Sequence, residues 1–109
     1  MNTFDDRKKG FEAKYQKDQE TQFKIRVKRN KFLGEWAAKI FEPLNTEEYI
    51  KEVRLSDLEK PGDDDIIDKI LSDFESKDLN INRGNIIEKI QEFEQKAIED
   101  FLKEISSEK

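Results

Sequence analysis

Apolar residues recur along this chain at helical spacing almost everywhere, and no run alternates in the strict two-residue period of a half-buried strand. One long stripe is Phe23, Val27, Phe32, Leu33, Trp36, Ala37, Ile40 and Phe41. Pro43 closes it by disfavouring helix at the residue before it. "NTEEYIKEVRLSDLEK" follows, with Asn45 as N-cap and Glu48 three residues on, in the pattern of a capping box. Tyr49, Ile50 and Val53, with Leu58 at the end, form its expected buried side up to Pro61-Gly62. A third stripe, Ile66, Ile67, Ile70, Leu71 and Phe74, starts behind Asp63, Asp64 and Asp65. Leu79 and Ile81 alternate with polar residues in a connector. Asn82 then caps a last helix carrying Ile86, Ile87, Ile90, Phe93, Ala97, Ile98, Phe101, Leu102 and Ile105. Four amphipathic helices with short connections predict an all-α four-helix bundle over residues 20–109, its neighbours packed antiparallel.

"FDDRKKGFEAKY", residues 4–15, does not fit that pattern. Thr3 is placed to cap a helix whose first turn holds Asp5 and Asp6, where carboxylates complement the dipole. Phe4, Phe11 and Tyr15 then fall within a sector of about 40° on a helix. Around that line the segment is charged, and Gly10 inside it costs ~1 kcal/mol relative to Ala. So short a helix with so thin a stripe is marginal in water, so residues 1–19 read as a flexible or marginally helical segment ahead of the bundle.

Composition sharpens this division. Of 109 residues, 34% are apolar and 43% charged, which suits helices burying one stripe each better than a sheet sandwich. There is no Cys and no His, so disulfides, thiolate metal sites and the commonest acid/base group are all missing. No apolar run approaches the ~20 residues of a membrane span and "MNTFDDRKKG" lacks the apolar stretch of a secretory signal, so a cytoplasmic protein without membrane insertion is expected. Net charge is −5, but residues 1–41 hold 11 Lys+Arg against 6 Asp+Glu and residues 42–109 hold 10 against 20. A basic front and an acidic back can orient an encounter with a charged partner.

Three charged stretches invite a chemical reading. In a calcium loop starting at Asp57, Gly62 falls at position six, but Pro61 at five and Asp64 at the apolar position eight do not fit. Helix capping explains Asp63, Asp64 and Asp65 without an ion. "DLNINRGNIIEK" alternates Asp78, Asn80 and Asn82, yet its Gly84 comes one position late and Lys89 stands where a bidentate Glu belongs. Turn and capping chemistry accounts for it too. "KIRVKRNK" crowds Lys24, Arg26, Lys28, Arg29 and Lys31 beside Phe23 and Phe32, a surface that could take phosphate groups of a nucleotide, nucleic acid or an acidic protein partner. Nucleic acid is disfavoured by the acidity of the whole chain, and a solvated face neutralising acidic neighbours is the plainer reading. Trp36 reads as packing. No arrangement of carboxylates separates an acid from a base, so neither catalytic residues nor a cofactor are expected.

Taken together, "TFDDRKKGFEAKY", "RNKFLGEWAAKI" and "KPGDDDIIDKILSDFE" resemble the zeta subunit family of alphaproteobacterial F-type ATP synthases, over essentially the whole chain. The resemblance implies a four-helix bundle preceded by an inhibitory segment that enters a catalytic interface of the soluble ATPase head. Lodged against the alpha, beta and gamma subunits, that segment blocks hydrolysis, and the protein is a monomer when free, peripheral to the membrane through the synthase. By this resemblance the partner-binding residues are Thr3, Phe4, Asp5, Asp6, Arg7, Lys9, Phe11, Glu12, Lys14 and Tyr15. The aromatic residues would be apolar anchors, and Arg7, Lys9 and Lys14 charge partners for carboxylates. Two places differ from the family pattern: Gly10, where Ala or a similar helix former is more usual, and the inter-helix stretch "FEPLNTEE".

Overall fold

A computed structural model describes residues 18–57 and 62–107, with the side chains of 106 and 107 left aside. The segment holding Thr3 to Tyr15 and the expected buried Leu58 lie outside the described residues. Within them are four helices: α1 (Gln19–Phe41), α2 (Thr46–Ser56), α3 (Asp64–Ser76) and α4 (Arg83–Ser107).

Each boundary has a local cause. Asp18 starts α1 by accepting the Glu20 and Thr21 amides at 3.2 and 3.4 Å. Glu42 ends it in the left-handed region (φ 52°), donating its N–H to the Ala38 carbonyl, and Pro43 follows. Lys77, just past α3, donates its ammonium to the Phe41 and Glu42 carbonyls and lies over the Phe41 ring at 4.2 Å. The carbonyl end of α1 thus gains a cation. Asn45 accepts the Glu48 amide at 3.1 Å to start α2. Asn82 and Asn85 cap α4 reciprocally: the Asn85 amide donates to the Asn82 side chain at 2.9 Å, and the Asn82 amide to the Asn85 side chain at 3.1 Å. Asp64 and Asp65 occupy the first turn of α3 as expected, but Asp63 makes no side-chain cap bond and turns to Arg29 instead.

Helix length decides where the core sits. With 23 and 25 residues, α1 and α4 extend ~34 and ~37 Å, whereas α2 and α3, with 11 and 13, extend only ~16 and ~20 Å. α1 and α4 run antiparallel, from the Lys28–Glu104 pair at one end, past the Phe32 and Phe93 rings (6.2 Å), to Lys89 over Trp36 at 6.0 Å. Where all four helices overlap, Leu33, Ala37, Val53, Ile66, Ile70, Phe74 and Ile86 are fully buried. Beyond that overlap a smaller core of Ile25, Ala97, Ile98 and Leu102 joins α1 to α4.

That geometry corrects the α1 stripe. Phe23, expected inside, is 59% exposed, whereas Ile25, outside the expected stripe, is fully buried. Ile25 packs on Ala97, Ile98 and Leu102 of α4, whereas Phe23 borders an open groove beside Leu55 of α2. Ile87 and Ile105, at 38% and 39%, are likewise more open than their stripe implies. Trp36 is half-buried, its ring edge-on to Phe74 at 5.7 Å.

Gly34 sets the approach of α2 to α1. A Cβ there would stand 3.1 Å from Ile50 Cγ2 and 3.5 Å from its backbone. Gly34→Val should therefore push the helices apart and cost about 1–3 kcal/mol, read from urea denaturation. A neutral result would show that α2 shifts freely.

Tyr49, Lys69 and Asp73 link α2 to α3, with Lys69 3.0 Å from Asp73 and also within reach of Glu52. Burial, then the neighbouring Asp73 and Glu52 charges, push the Tyr49 phenol above its ordinary 10.0. Lys69 is raised above 10.5 because its bonds to Asp73 and Glu52 outweigh its partial desolvation. Both groups hold their proton more tightly folded than unfolded, so their contribution is complete below about pH 10 and is lost as pH rises beyond it. The melting temperature should fall between about pH 10 and 12, and less steeply in Tyr49→Phe.

Candidate docking site

α1 carries the basic run, and the fold uses most of it internally. Arg26 grips Asp57 with both arms of its guanidinium, one bond measuring 2.7 Å, and donates to the Gly62 carbonyl at 2.6 Å. Gly62 holds φ +91°, a conformation glycine adopts without a side-chain penalty. Arg29, only 4% exposed, reaches Asp63 at 3.0 Å and the Asn30 side-chain carbonyl at 2.8 Å. The Asn30 amide closes the network on Asp57 at 2.7 Å. Two arginines, one amide and two carboxylates therefore fasten the middle of α1 to the α2–α3 connection. Lys24 pairs with Glu20 one turn away, Lys28 with Glu104 on α4, and Lys31 faces solvent.

Asn30 and Asp57 were not singled out for this role by the sequence. A hint lies in "RN" at 29–30, two polar residues directly ahead of the densest apolar run of α1. Their partner stands 27 positions away, which no helical periodicity reports.

At the same end of α1 the surface is apolar. Phe23, Val27 and Leu55 line a groove of about 260 Å³ with Asn30, Lys51 and Arg54. Phe23 is also a wall of two neighbouring grooves, one reaching Phe101 and Ile105, the other Gln19 and Glu94. Among the described residues no group of three or more carboxylates is placed to hold a metal ion, and no helix is long and apolar enough to cross a membrane.

Comparison of the chain with protein families matches ATPase inhibitor subunit zeta over residues 1–100. The chain belongs to that family. Its role is accordingly that of an ATPase inhibitor subunit, a regulator acting on an ATP synthase. The zeta-family match runs from residue 1 into α4 and so takes in positions 3–15 as well as most of the helices. Comparison with curated proteins gives no match.

Proposed function

We propose that this zeta-family chain suppresses ATP hydrolysis by inserting residues 1–19 at a catalytic interface of the soluble head, against its alpha, beta and gamma subunits. The observation that carries the reading is the family match, which covers residues 1–100 and so takes in Phe4, Phe11 and Tyr15 as well as most of the helices. The physical logic agrees. The helices bury two hydrophobic clusters built from their own residues, and Phe4, Phe11 and Tyr15 stand in a stretch too polar for a core of its own, which suits them as anchors for another surface. A segment marginal by itself orders when a partner supplies the buried face. The basic run serves the fold under this reading, since a phosphate would have to compete with Asp57 and Asp63 for Arg26 and Arg29.

The test is a titration of ATP hydrolysis by the head of the chain's own organism. Micromolar protein should inhibit it and co-purify with it; unchanged hydrolysis and no capture would sink the proposal. Gly10→Ala should inhibit about fivefold more strongly, because removing ~1 kcal/mol of helix cost lowers the half-inhibitory concentration by that factor. A weaker inhibitor would count against a helical bound segment.

A further inference from the structure

We infer that the groove between α1 and α2 is a second docking surface, built for an acidic amphipathic helix of the same ATPase; the inference rests on the proposed inhibitory docking. Phe23 and Leu55 are 59% and 51% exposed, two large apolar side chains facing one groove whose floor is Val27. Lys51 and Arg54 line the same groove, are exposed, and form no ion pair among the described residues. The cations of α1 that face other helices are held differently, since Arg26, Lys28 and Arg29 all meet carboxylates. An apolar groove with exposed positive charge at its edge fits a helix that presents aliphatic anchors flanked by Asp or Glu.

Charge also separates the candidate occupants. Residues 1–17 hold 5 Lys+Arg against 3 Asp+Glu, so the chain's own leading segment would be repelled by Lys51 and Arg54. Position favours the ATPase. Phe23 lies five residues, ~8 Å along the helix, from the Asp18 cap where the proposed inserting segment joins. Once that segment is seated, the groove is held against the head at high effective concentration, and a weak contact there adds to affinity.

The experiment measures half-inhibitory concentration and dissociation rate of the full chain on the purified head. Arg54→Glu combined with Leu55→Glu should raise the first at least about tenfold and speed release. Leu44→Glu, at a still more exposed apolar position on the α1–α2 connection, should leave both unchanged, and circular dichroism should show equal helix in all three. Wild type that binds while the double variant matches it overturns the groove alone; wild type that does not bind overturns both readings. A wild-type dimer in sedimentation that the double variant abolishes would give the groove to a second copy. Proton contacts from Leu55 to Phe11 or Tyr15 in the free chain would give it to the leading segment. Either result overturns the inference.

Discussion

Asp57→Ala should cost the bundle about 3 kcal/mol. The Asp57 carboxylate is 1% exposed, and its partners come from α1: Arg26, Arg29 and Asn30. Removing it leaves the buried Arg29 guanidinium with the neutral Asn30 carbonyl and, as its one carboxylate among the described residues, Asp63, itself 36% exposed, and leaves the Asn30 amide without its acceptor. Breaking one side of a buried pair is expensive because the remaining charge keeps its desolvation cost. For a domain of this size the loss is a large part of total stability, and it should appear as a lower urea midpoint with an unchanged slope. Replacing Arg29 and Asp57 together by Met and Leu should be far milder, since an apolar pair carries no such penalty. A loss below about 1 kcal/mol for Asp57→Ala would mean that water reaches the guanidinium and that the network does not fasten α1.

The same network shows where sequence reading reaches its limit. The stripe of α3 and, apart from the exposed Ile87 and Ile105, that of α4 were legible because their apolar residues repeat every three to four positions. Phe74, Ile70 and Ile86 are buried as that rule requires. Phe23 and Ile25 were misassigned for a reason outside local periodicity. A stripe fixes which side of α1 is apolar, but which of its residues are covered follows from how α4 and α2 pack on it. Asp57 was harder still. In sequence it stood only at the start of a calcium-loop register that Pro61 and Asp64 ruled out, and its true partners, Arg26 and Asn30, stand a whole helix earlier.

The proposed docking segment lies outside the described residues and rests on the sequence alone. Phe4, Phe11 and Tyr15 align on one side of a stretch too polar to bury them, while the helices behind it carry enough apolar surface for cores of their own. The exposed pair Phe23 and Leu55 became visible only once α1 and α2 were laid side by side.

Removing residues 1–16 should have the largest functional effect: inhibition abolished, with the fold retained. Every residue of both described clusters and the α1 cap Asp18 are kept. The shortened chain should therefore keep its helical circular dichroism per residue and melt cooperatively. Aromatic anchors carry most of the energy at protein interfaces, so losing three of them with Arg7, Lys9 and Lys14 should remove inhibition outright. ATP hydrolysis by the head, titrated with full-length and shortened protein side by side, tests the central claim most directly. The account predicts inhibition by the full chain and none by the folded, shortened one; equal inhibition by both would contradict it and place the inhibitory contact on the bundle.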